Sequence, residues 1–343
     1  LTKHLPGWER CGWIGVANAP ALRELVGYLR TRSAPTTFKW VKGHSGVRGN
    51  EEADRLASEG AKHPPTVRPT HLPPPEEYII RGASLAHLTQ RLAYRGIRGW
   101  NAGEERPATK RAIAMIQESI QMASGARPAE PMIWNLLRKN AVSRKARDFL
   151  WRALHDGLRV GKYWAHIPGF ETRAMCAACG VTESLEHILC ECSAPGQNVA
   201  WALARGLLAK KSVRLPAVSL GIALGGHAFA AFNEQDELLH GATRLARIIL
   251  TETAYLIWVL RCDRVVGDRV PLPRALEEEY VERRWLRALN KRLQNECTLV
   301  SKRVAGRWAI PSATVLATWE KTLQDEHRLP LDWIHSPGVL VGK

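Results

Sequence analysis

Six prolines between Pro64 and Pro75, in the stretch HPPTVRPTHLPPPEE, constrain this chain more than any other feature. Proline has no amide hydrogen to donate and its ring fixes φ, so neither a continuous helix nor a central strand can run through the segment. An extended, polyproline-like connection is expected. It divides the chain into residues 1–62, a linker at 63–77 and a longer C-terminal part. A chain of 343 residues has room for two or three domains with cores of their own.

Before the linker, short elements alternate with turn signals. Asn18 is placed to cap a helix in which Leu22, Leu25, Val26 and Leu29 recur at helical spacing. TTFKWVK follows, rich in β-branched and aromatic residues, and predicts a strand over Phe38–Lys42. A Gly-His-x-Gly loop comes next, loosened by Gly43, Gly46 and Gly49, and from Asn50 a second helix begins. Its Ala53, Leu56, Ala57, Gly60 and Ala61 form a small-residue stripe suited to close packing. Asp54 lies one turn into this helix, where a carboxylate could serve Mg²⁺, a hard cation that takes oxygen ligands and substrate phosphate.

WVKGHSGVRGNEEADRLA resembles the last part of a type 1 ribonuclease H domain, as found in reverse-transcribing elements. WERCGW (Trp8–Trp13) and Asn18 extend the likeness upstream. The resemblance implies an α/β fold and Mg²⁺-dependent hydrolysis of the RNA strand of an RNA–DNA hybrid, with four carboxylates holding two ions. It implies that Asp54 is the fourth carboxylate, His44 the mobile loop histidine, Asn18 a substrate-strand contact, and Trp8 and Trp13 part of a basic protrusion against the DNA backbone. Asn50 is a further candidate contact. Asn18 and Asn50 serve equally well as helix caps. The first three carboxylates of the family have no counterpart before Asp54, where the acids are Glu9, Glu24, Glu51 and Glu52. The first residue is Leu rather than Met, and the expectation is an incomplete nuclease domain, inactive alone.

Beyond the linker nearly everything reads as helix: 78–94, 109–123, 131–156, 200–210, 241–266 and 274–308. One interruption is different. CAACGVTESLEHILCEC gives Cys176-x2-Cys179-x7-His187-x4-Cys192, with Cys190 as an extra thiol. Three or four thiolates and an imidazole within seventeen residues fit a closed, tetrahedral structural Zn²⁺ site. The fourth position is contested. Cys190 shares a helical face with His187, three residues away, whereas Cys192 reaches the metal only if the helix ends or loosens first. The odd total of seven cysteines and their clustering argue against a secreted disulfide scaffold and for a reducing, intracellular setting.

DFLWRALHDGLRVGKYW followed by this Cys/His group is similar to the zinc-binding region of non-LTR retrotransposon reverse transcriptases, fungal elements especially. That likeness favours Cys192 and implies an upstream reverse transcriptase segment. The helical region 201–343 carries no further motif. A net charge of +16 predicts attraction to polyanions, DNA, RNA or their hybrid first. RKNAVSRKARDFLWR supplies Arg138, Lys139, Arg144, Lys145, Arg147 and Arg152, with Trp134 and Trp151 as stacking or core aromatics; the apolar neighbours of Trp151 favour core. No apolar run approaches the roughly 20 residues of a membrane span. The sequence thus reads as an α/β ribonuclease H-like fragment, then a helical region with a small zinc module, in a nuclear or other intracellular protein. A non-catalytic nucleic-acid- or protein-binding module domesticated from a retroelement is the competing reading.

Overall fold

In the computed structural model, residues 1, 3–43, 45–62, 74–100, 106–267 and 273–342 are described. The chain divides into two units, Leu1–Glu104 and Glu105–Lys343.

The first unit contains α1 (Leu5–Arg10), α2 (Ala19–Thr31), α3 (Arg48–Gly60) and α4 (Gln90–Trp100). Its centre is small: Trp13 and Val26 are the buried large side chains, and Arg30 pairs with Glu9 at 2.8 Å. Residues 74–100 belong to this unit, not to the helical half where a start at 78 was expected. The Ser84 amide donates to the Arg10 carbonyl at 2.8 Å, and Arg30 reaches the Tyr78 carbonyl at 3.2 Å. The helix expected over 78–94 is replaced by two 3-10 turns and α4, because Gly82 turns the chain at φ +85° and Thr89 caps the new start.

No strand forms among the described residues of this unit. Phe38–Lys42 runs extended and open to solvent, with Trp40 84% exposed. A strand without a neighbour has no partner for its backbone groups, so strand-forming residues alone do not make a sheet. The α/β expectation is therefore not met here. The stripe on α3 is exposed for the same reason, there being no sheet to pack on. Arg55, paired to Glu52 and to Glu59 at 2.6 Å each, supports α3 from its surface.

The second unit holds α5 (Pro107–Ser124), α6 (Glu130–Leu137), α7 (Arg144–Leu154), α8 (Lys162–Ala165), α9 (Gln197–Ala209), α10 (Leu220–Gly225), α11 (His240–Val265), α12 (Arg274–Leu299), α13 (Lys302–Ala305) and α14 (Ser312–Trp319). Helix α11 is the axis of its core. It buries Leu245, Ile248, Ile249, Leu250, Ala254, Ile257 and Leu260 and touches α7, α9, α10, α12 and α14. Helix α10 lies so close to α5 that a Cβ on Gly221 would meet Ser119 Oγ at 2.2 Å.

Two expected long helices are broken. Residues 131–156 split into α6 and α7 because Ser143 caps the second piece, accepting from the Ala146 amide at 3.3 Å. Arg147 fastens the break by donating to the carbonyls of Leu137, Lys139 and Val142. Helix α12 ends at Leu299, where the Ile310 amide takes the Leu299 carbonyl at 3.0 Å.

Candidate metal centre

Residues 174–183 form a hairpin. Met175 and Thr182 make an antiparallel bridge, and the Glu183 amide donates to the Ala174 carbonyl at 2.9 Å. The turn at its tip is Cys176-Ala-Ala-Cys179-Gly180. The Gly180 amide returns to the Cys176 carbonyl at 2.8 Å, with Gly180 at φ +69°. This turn puts both thiols on one side.

The remaining donors come from a π-helical turn, His187–Glu191. Its i→i+5 bond, Cys192 amide to His187 carbonyl, is 2.7 Å. A π turn is wider than an α turn and brings the fifth residue back toward the first. Cys192 thereby joins His187, while Cys190 points away into the helical core. Trp201 pins the turn by donating to the Leu189 carbonyl at 2.8 Å, and Gln197 donates to the Cys192 carbonyl at 3.1 Å.

The donor atoms of Cys176, Cys179, His187 and Cys192 all lie within 4.8 Å of one another. Cys192 Sγ is 3.7 Å from Cys176 Sγ and 3.9 Å from Cys179 Sγ. Thiolate–zinc bonds of about 2.3 Å in tetrahedral geometry place two sulfurs about 3.8 Å apart. His187 Nε2 is buried without a hydrogen-bond partner. An orphaned buried nitrogen is costly unless something accepts its lone pair. Ser193, through its hydroxyl at 3.0 Å and its amide at 3.3 Å, draws the Cys179 thiol down to about 7. Burial pushes Cys192 up to about 12. Cys190 is likewise pushed up to about 12, by burial and then by Glu186 and Glu191. Donor types, separations and the orphaned nitrogen fit a tetrahedral metal ion.

The nuclease-like candidates are not assembled in the same way. Asp54 is exposed on α3, and among the described residues no group of three metal-binding side chains includes it. One exposed carboxylate does not fit a two-Mg²⁺ site. His44 lies outside the described residues. Asn18 is exposed at the start of α2 with φ 54° and caps without a side-chain bond, and Asn50 lies inside α3, whose cap position is Val47. Trp13 is buried 5.7 Å from the half-buried Trp8, so its ring belongs to the unit's small core instead of its surface.

Residues 1–62 match the family model described as RNase H. Ribonuclease H of Zymomonas mobilis is 41% identical over 66 residues, which is 18% of this chain and 41% of that protein. That of Erythrobacter litoralis is 39% identical over 67 residues, covering 18% and 44%. That of Mycolicibacterium gilvum is 44% identical over 64 residues, covering 18% and 42%. The chain thus spans about two fifths of the length of these curated relatives. No solved structure gives a significant match. Among the described residues, no helix is long and apolar enough to cross a membrane.

The basic run of α6–α7 divides in space. Arg138 and Lys139 line one groove, Arg144, Lys145 and Arg152 another, and Arg147 is spent on backbone carbonyls. Trp151 is 52% exposed with its edge on His155, not core as its neighbours implied, because Phe149, Leu150 and Leu154 already fill the inward face of α7. Tyr255 and Trp258 line the second groove. Their helical spacing beside Arg261 was the signal that could have found them.

Proposed function

We propose that this chain is a nucleic-acid-binding protein of retroelement origin, in which a type 1 ribonuclease H segment precedes a helical domain stapled by Zn²⁺. The observation that carries the reading is the conjunction of a ribonuclease H match over residues 1–62 with a preformed Cys176/Cys179/His187/Cys192 cluster. Zn²⁺ would hold the hairpin and the π turn together. With all four positions taken by protein, its role would be structural, not catalytic. The three thiols must be reduced to ligate, and all are free. A reducing intracellular compartment, the nucleus included, belongs to the same proposal, as does an upstream reverse transcriptase segment. The fungal, LINE-like origin rests on the resemblance of residues 131–195 alone.

For chemistry, we assign Asp54 one of four carboxylates and His44 an assisting role near the scissile phosphate, with Asn18, Asn50 and Trp8 facing the hybrid. These roles need further carboxylates, and among the described residues no group of three metal-binding side chains includes Asp54. That observation favours the competing reading of a non-catalytic binding module. Cleavage and binding assays on one labelled RNA–DNA hybrid separate the two. Mg²⁺-dependent cuts in the RNA strand, lost in Asp54→Asn, establish the nuclease. Binding without cuts leaves the binding module, and no binding at low salt overturns both.

A further inference from the structure

A cleft of about 1060 Å³ opens between α7, the loop following it, α8 and the C-terminal half of α11. Its charge is one-sided. Arg144, Lys145 and Arg159 are exposed on its walls, and none of the three has a carboxylate partner among the described residues. Asp148, the one acid in the lining, is taken by Arg152 at 3.3 Å. The cleft is also aromatic. Trp258 stacks on Phe149 at 5.7 Å, Tyr255 lies beside it, and the half-buried Trp164 is held by donating to the Arg159 carbonyl at 2.9 Å.

Two contacts tie this cleft to the metal hairpin. Gly161 packs against the Glu183 carbonyl so tightly that a Cβ there would stand 1.9 Å from the oxygen. The Glu183 carboxylate forms a buried ion pair with Arg261, whose guanidinium lies 5.5 Å over the Trp258 ring. One hairpin therefore positions both the loop wall and an aromatic face of the cleft.

Cations along a groove with ring faces between them suit a strand whose phosphates and unpaired bases are both accessible. A duplex keeps the faces of its bases stacked inside, so rings in a cleft have no base face to stack on. We propose that this cleft binds single-stranded nucleic acid, and that the Cys176/Cys179/His187/Cys192 cluster holds it in binding shape. The proposal rests on the nucleic-acid reading above and assigns it a site.

The test is fluorescence anisotropy of the full, zinc-loaded chain with a labelled oligothymidylate of about 12 nucleotides, within the range of single-strand sites. An abasic phosphate chain of equal length serves as the charge control. The thymidylate should bind roughly tenfold more tightly than the abasic chain, the increment expected of stacked bases. Reversal of Arg144 and Lys145 together to Glu should weaken it by about tenfold or more, whereas Lys302→Glu with Arg303→Glu, exposed and remote from the cleft, should not. Stripping the metal should weaken it as the cleft reversal does. Equal affinity for the abasic chain, equal loss from the two reversals, or full binding without metal overturns the proposal and leaves the broader nucleic-acid reading standing. Displacement by polyglutamate as effective as by thymidylate overturns it in favour of an acidic protein segment. Absence of any binding at low salt removes both readings.

Discussion

Cys176 Sγ and Cys192 Sγ stand 3.7 Å apart across sixteen residues of sequence, with no disulfide between them. Buried thiols do not gather in this way for their own stability, since each loses water and gains only a weak donor. A cation with thiolate affinity, as proposed above, would account for the gathering.

The ligand assignment predicts a sharp difference between two neighbouring cysteines. Cys192→Ser should lose stoichiometric zinc and unfold the hairpin, while Cys190→Ser, outside the cluster, should retain both metal and melting temperature. Structural zinc sites contribute roughly 10–16 kcal/mol of apparent binding at neutral pH, so chelation should melt the same region. Zinc by elemental analysis and melting by circular dichroism decide it. Full zinc in Cys192→Ser with loss in Cys190→Ser would reverse the assignment.

For hybrid cleavage, the chain alone should give no products with Mg²⁺ or Mn²⁺, because among the described residues no group of three metal-binding side chains includes Asp54. A fusion that supplies three further carboxylates from a type 1 ribonuclease H ahead of Leu1 should gain cutting. In that fusion Asp54→Asn should abolish activity and His44→Ala should slow it by roughly 10²-fold or more, the contribution typical of an assisting acid or base. Efficient hydrolysis by the unfused chain would show that its own residues suffice.

Legibility followed the range of the interactions involved. Helices α5, α9 and α11 begin and end within three residues of the periodicity-based expectation, because a buried stripe records its own extent in sequence. The gathering of Cys176, Cys179, His187 and Cys192 was readable because the four residues are local in sequence. The residue pattern alone left Cys190 and Cys192 open and the likeness favoured Cys192, which in the structure joins the cluster through one i→i+5 bond. What depended on distant partners was not readable. Phe38–Lys42 has the composition of a strand but, among the described residues, no neighbour to pair with. Glu296 sits on a helix rich in charge, and nothing nearby marks it as buried; its partner Arg244 lies 52 residues away.

That buried carboxylate carries its own prediction. Glu296 receives Arg244 through two bonds of 2.8 and 2.7 Å, Arg292 at 2.9 Å and the Trp319 indole at 3.0 Å. Against the upward push of burial, the two guanidiniums hold its pKa below the usual carboxylate range. Its ionised form therefore stabilises the fold above the ordinary Glu range, and that contribution is lost as pH falls through the folded value. Glu296→Gln should cost about 3–5 kcal/mol by removing the buried charge that two half-buried guanidiniums share, a fall in melting temperature on the order of 10 °C. Glu279→Gln, which removes an exposed partner of Arg283 at 3.8 Å, should change little. Equal effects of the two substitutions in thermal melts would refute the network's importance.

His227 gives the last prediction, on acid stability. It lies in a 3-10 turn between α10 and α11, fully buried, with both ring nitrogens lacking a hydrogen bond. Burial, opposed by the nearby Ile133 carbonyl and reinforced by Arg247, pushes its pKa down to about 4. In the unfolded chain the same imidazole would titrate near 6.5. A base whose folded pKa is depressed stabilises the fold while neutral, so its contribution is complete above about 6.5. As pH falls below that value the unfolded chain takes up the proton first and stability drops until about pH 4, where the folded form is protonated too. The loss over this window should be on the order of 3 kcal/mol. His227→Leu removes both the proton site and the unpartnered nitrogens at similar volume. It should leave stability near neutral pH equal or higher and flatten the slope between about pH 6.5 and 4, whatever the carboxylates add in both proteins. Urea unfolding of the two chains across that window reads the difference directly, and parallel slopes would mean that His227 is not the group that titrates.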